Sequence, residues 1–221
     1  MFTRLGIGES FDNINEQYQR LKPLISESQQ NQVEIAALLP YPPGNVAVSA
    51  SGRVFFSFHP EYEPPIKVAE LTTSATHDDE NKKYSDYTSY PPEDFGISLV
   101  SVLSLRIDNA NNKLYLLDFG HHGLKGPPSL YGIQLNDHPY SGNNREVDKD
   151  KLVLNYRFPS SIAGTGSMLN DLQISADGSF IVLVDTSILG YSPAIIVYNV
   201  VKNISYRVLD HYESLYGRSA L

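Results

Sequence analysis

The sequence predicts an all-β fold assembled from repeated four-stranded antiparallel sheets. Three observations carry that reading. A short apolar run, a Gly or Asn turn and a second apolar run recur at 45–58, 103–118 and 169–185. With Gly52, Asn112 and Gly178 in register, the spacings are 60 and 66 residues. One further short run precedes the first hairpin and one follows it, and two follow each of the others, so each unit holds four strands with hairpin connections. Repeated units of this kind bury their faces only against one another, as the blades of a β-propeller do. A two-layer sandwich is the rival by strand count alone, and the repeated register of the turn favours the propeller.

In chain order, residues 1–32 form a helix and polar linker: Ile14, Tyr18 and Leu21 fall at helical spacing, Asp12 can cap the start, and Pro23 stops the pattern. From Val33 the β pattern takes over, with an apolar run to Leu38 and a rigid turn at 40–44. The first unit covers 33–96, with a third strand at 66–71 and a polar loop at 72–96. The second covers 97–160, with later strands at 130–135 and 152–158. The third covers 161–212, with later strands at 194–200 and 205–209.

Composition narrows the function. With 17 basic against 25 acidic residues and a net charge of -8, the chain lacks the basic stripe of a nucleic-acid binder. There is no Cys, which excludes disulfides, thiolate catalysis and Cys-based zinc sites. No apolar run approaches the roughly 18 residues of a membrane-spanning helix. The first residues also lack the apolar block of a signal peptide.

Four motifs carry a family likeness. They are the segment from Pro43 to Ser49 with Gly52 to Pro60, the segment from Lys113 to Gly120, that from Met168 to Ser175, and that from Pro193 to Val200. In type and order they resemble the major royal jelly/yellow protein family, over roughly residues 33–212, and more distantly gluconolactonase-like propellers. The resemblance implies a six-bladed ring with a ligand site at one mouth of its channel. Three units amount to about half of it. The chain is therefore expected to be a truncated portion of a propeller or to pair with a second chain that completes the ring. The resemblance also implies secretion. Its known roles span amine binding, dopachrome-type tautomerase activity and storage, and the lactonase likeness adds a calcium-dependent lactone hydrolase.

The candidate site follows from where these residues fall on the strands. Asn170 and Asp171 open the innermost strand of the third unit, where a carboxamide and a carboxylate reach a ligand or a hard cation, or else hydrogen-bond the strand end. Asn170 matches the calcium-binding asparagine of the lactonase-like propellers. Asp118 and Asp185 end equivalent second strands, as calcium ligands or as anchors accepting loop N–H groups. Arg106 and Gln173 share a column with Ala47 on the inner strands, lining the channel or snorkelling between sheets. His121 and His122 sit on the loop after Asp118; in an extended chain only one of them could face a site. The run of His77, Asp78, Asp79 and Glu80 reads as a solvated loop, and no Ser-His-Asp arrangement is detectable. The expected ligand is a small aromatic or amine-type molecule, captured by a carboxylate and aromatic faces. Catalysis, if present, would be lactone hydrolysis or tautomerisation.

Overall fold

The computed structural model describes residues 36–72, 85–136, 149–187, 189, 192–210 and 212–216. The backbone divides into two compact units, Met1–Leu38 and Leu39–Leu221. The helix expected at 1–32 and the charged run at 77–83 lie outside the described residues.

The described strands form three four-stranded antiparallel sheets, each in sequential order. The first holds β1 (Pro43–Val48), β2 (Val54–Phe58), β3 (Val68–Leu71) and β4 (Tyr87–Ser89). The second holds β5 (Val102–Asp108), β6 (Lys113–Asp118), β7 (Ser129–Gln134) and β8 (Lys151–Arg157). The third holds β9 (Leu169–Ile174), β10 (Phe180–Asp185), β11 (Ala194–Asn199) and β12 (Ile204–Val208). The expected turn positions all take the left-handed conformation, with φ of 85° at Gly52, 50° at Asn112 and 71° at Gly178. That conformation strains most L side chains, which is why Gly and Asn occupy it.

The first sheet departs from expectation in one place. Its fourth strand is β4, from the stretch read as loop, and residues 36–38 carry no strand. Tyr87, Thr88 and Ser89 pair with Leu71, Glu70 and Ala69. Three residues are too few to show a period, so the polar and Pro-rich flanks dominated the reading.

The sheets pack face to face in sequence through their inner strands: β1 lies against β5, and β5 against β9. One core, between the first and second sheets, gathers Phe55, Val68, Leu105, Leu114, Leu116 and Ile133. The next, between the second and third, gathers Tyr115, Leu117, Leu130, Leu172, Leu183 and Tyr198. Alternation along a strand sends neighbouring residues to opposite faces, so Leu114 and Leu116 serve one core while Tyr115 and Leu117 serve the other. A middle sheet buried on both faces by its neighbours is the arrangement of propeller blades, and a two-layer sandwich has no place for it.

Candidate functional site

The inner strands owe their geometry to a bulge near the start of each. Pairing skips one residue between Pro43 and Asn45, between Val102 and Ser104, and between Leu169 and Asp171. The skipped residues are Gly44, Leu103 and Asn170, so the three bulges fall in register. An extra residue bends the strand and re-aims the side chains beyond it. At Gly44 the space is closed: a Cβ there would stand 2.9 Å from the Ser57 hydroxyl and 3.2 Å from the Leu103 carbonyl.

Beyond the bulges, Ala47, Arg106 and Gln173 stand opposite Phe55, Tyr115 and Val182, in one column as their spacing implied. The seam between the second and third sheets is polar here. Arg106 donates through Nη2 to Asp171 Oδ2 at 3.1 Å and through Nε to the Leu172 carbonyl at 3.1 Å. The Ser104 hydroxyl donates to Asp171 Oδ1 at 2.6 Å, and the Leu172 N–H reaches the same oxygen at 2.8 Å. Partial burial alone would raise the Asp171 pKa, but these donors and the Arg106 charge outweigh it and hold the carboxyl below its usual range. The pair is open to solvent, with side chains 37% and 44% exposed. Asn170 and Gln173 are exposed as well, and neither side chain makes a hydrogen bond among the described residues.

Asp118 and Asp185 sit apart from this seam, each buried at the end of its second strand. Asp118 accepts from the backbone N–H groups of Val100, Ser101 and Gly120 at 2.6, 2.9 and 2.8 Å. Asp185 accepts from those of Met168 and Ser187, both at 2.9 Å, and from Arg207 at 3.1 Å. Each carboxylate thus ties the segment leading into its inner strand to the loop leaving its second strand. The first sheet carries Phe58 at the equivalent place, opposite Pro43.

The histidine loop is not extended. Gly120, His121, His122 and Gly123 have φ of 62°, 53°, 60° and 68°, a full turn of left-handed backbone. Both rings consequently lie on one side of the loop, with centroids 5.8 Å apart, and His122 stacks edge-on against Phe119 at 5.3 Å. The His122 carbonyl accepts from the Gly166 N–H at 2.8 Å, which docks the turn on the segment that precedes β9. Its Nδ1 is buried without a hydrogen-bond partner among the described residues, and burial, then the neighbouring His121, lowers its pKa.

Sequence reasoning passed over a second polar cluster, between the first and second sheets. Arg53 donates through Nε and Nη2 to Glu70 at 2.6 and 2.8 Å, and through Nη1 and Nη2 to Asp150 at 2.9 and 2.7 Å. Tyr90 Oη donates to Asp150 at 2.8 Å. Burial alone would depress the Arg53 pKa, yet its two carboxylate partners drive it up; burial and Asp150 drive Tyr90 up as well. A shallow hydroxyl-lined cavity of about 250 Å³ also opens beside Arg207, walled by Ser160, Ser161, Thr165 and Ser167.

A family model described as major royal jelly protein matches residues 100–218, more than half of the chain. The chain belongs to the major royal jelly protein family. A comparison with curated proteins gave no match. The family match covers the second and third sheets and contains Arg106, Asp118, His121, Asn170, Asp171, Gln173 and Asp185. Of these residues, Arg106 and Asp171 are in direct contact. Asp118 and Asp185 hold loops, and Asn170 and Gln173 stand unengaged. Among the described residues no three His, Asp or Glu side chains converge as a metal-binding group.

Proposed function

We propose that this royal jelly/yellow-like chain binds a small aromatic amine at the mouth formed by its inner strands. The observation that carries the reading is the half-exposed Arg106–Asp171 pair, flanked by the unengaged side chains of Asn170 and Gln173. Asp171 Oδ1 already accepts two donors, whereas Oδ2 receives Arg106 alone and can accept an incoming N–H. Its lowered pKa keeps the carboxylate charged at neutral pH. The Arg106 guanidinium offers a flat cation to an aromatic face. An aromatic amine answers both groups at once, with its ammonium on Asp171 and its ring on Arg106. His121, on the left-handed turn whose His122 carbonyl accepts from the Gly166 N–H, is assigned as a further contact.

Calcium-dependent lactone hydrolysis draws less support. Of Asn170, Asp118 and Asp185, only Asn170 has an oxygen that no described group engages. Titration calorimetry with tryptamine, and with its neutral alcohol analogue as control, tests the reading. Saturable heat with the amine alone, abolished in Asp171→Asn, is expected. No heat with the amine would refute it, and chelator-sensitive turnover of an aliphatic lactone would favour the hydrolase instead.

A further inference from the structure

The contact between consecutive sheets is made twice within the chain and left half-made at both ends. Phe55, Tyr115 and Val182 are equivalent by register, each opposite the Ala47, Arg106 and Gln173 column. Phe55 and Tyr115 are 0% and 2% exposed because the following sheet covers them, whereas Val182 is 38% exposed. Val184, next on that face, is 39% exposed, against 0% for its equivalents Ser57 and Leu117. Ile204 and Tyr206 extend the same open surface outward.

The opposite end shows the complement. Val46, Leu105 and Leu172 are equivalent, each opposite the residue that follows the Phe55 column. Leu105 and Leu172 are 0% and 1% exposed beneath the preceding sheet, while Val46 is 56% exposed. Leu39 and Tyr41 pack over Phe56 and Phe58 on that face, yet β1 stays open at Val46 and Val48.

We propose that a second copy of this chain closes these ends, with the Val182 face of each copy on the Val46 strand of the other. Each copy contributes three sheets, so a pair joined this way holds six sheets and two identical seams. The polar seam supports the match. Gln173 occupies the place of Arg106, whose Nε donates to the Leu172 carbonyl, and the partner's equivalent of Leu172 is Val46. The Gln173 amide therefore has a waiting acceptor. The pairing also supplies the facing wall of the mouth, since β1, β5 and β9 line one side only. A closed ring leaves no bare sheet face, which an open arc does.

Sedimentation velocity over a dilution series tests the pairing without reference to any ligand. The chain is expected at twice its own mass. Val182→Lys and Val46→Glu, both at exposed positions, should each sediment as single chains with unchanged circular dichroism. An equimolar mixture should regain the doubled mass, because it restores one apolar seam and sets lysine against glutamate in the other. A single-chain mass for the unaltered protein, an open-ended series of larger species, or a mixture that stays unpaired would each overturn the proposal.

Discussion

Arg106 on β5 and Asp171 on β9 meet at 3.1 Å across the seam between the second and third sheets, with both side chains more than a third exposed. Solvent screens a pair so placed, and exposed ion pairs contribute under about 1 kcal/mol. Arg106→Ala and Asp171→Asn should therefore shift the urea midpoint little while abolishing amine binding. A large loss of stability in either would show that the pair holds the sheets together.

Arg53 should behave in the opposite way. Its side chain is 7% exposed, and removing it strands two carboxylates in a confined seam. Breaking a buried ion pair costs about 3–5 kcal/mol. Arg53→Met is expected to lower stability on that scale, and Asp150→Asn to recover part of the loss in the double variant. Additive losses in a denaturant-unfolding cycle would remove the pairing argument.

The same seam sets limits at both ends of the pH scale. Arg53, the Asn136 N–H and Tyr90 outweigh burial and hold the Asp150 pKa below its ordinary value. Its contribution is thus complete above the unfolded carboxyl value of about 4 and is lost as pH falls through the lower folded value. Burial and Asp150 raise the Tyr90 pKa. Its contribution is complete below the unfolded value of about 10 and declines as pH rises toward the folded one. Thermal midpoints measured against pH should fall below pH 4 and above pH 10; Tyr90→Phe should flatten the alkaline limb in part and, by removing one donor to Asp150, shrink the acid limb slightly. An alkaline limb unchanged in that variant would refute the assignment.

The parts of this architecture legible in the sequence are those set by local chemistry. The left-handed turns at Gly52, Asn112 and Gly178 are marked by residues that tolerate positive φ, and period-two alternation places Arg106 and Gln173 in one column. The bulges carry no marker, since Gly44, Leu103 and Asn170 share no side-chain chemistry. Arg53 could not be paired from its surroundings, because Glu70 and Asp150 stand 17 and 97 residues away. His121 and His122 concealed their turn, because histidine rarely takes a left-handed conformation in succession.

Asp118→Asn tests the anchoring role directly. The carboxylate accepts three backbone N–H groups, two on Oδ1 and one on Oδ2. An amide keeps one oxygen and turns its NH2 toward a donor. A buried donor left unsatisfied costs about 1–3 kcal/mol. The substitution should destabilise on that scale and free amide exchange at Val100, Ser101 and Gly120. Unchanged exchange there would deny the anchor.

The left-handed turn makes the sharpest contrast, because its glycines and histidines should respond in opposite directions. A Cβ on Gly120 would stand 2.0 Å from the Gly126 carbonyl oxygen, and one on Gly123 would stand 2.7 Å from that of Gly164. Backbone cannot yield there without displacing the Gly164–Gly166 segment that leads into β9, so Gly123→Ala should destabilise and also weaken amine binding at Asn170 and Asp171. His121 meets no comparable constraint, and its φ of 53° places an L residue in the left-handed region. That conformation costs an L residue about 1–2 kcal/mol, partly offset in a glycine variant by about 0.4–1 kcal/mol of added unfolded-chain entropy. His121→Gly should therefore raise the urea midpoint slightly while lowering amine affinity through loss of the imidazole. A destabilised variant would refute the strain argument, and one that binds the amine unchanged would refute the ligand contact.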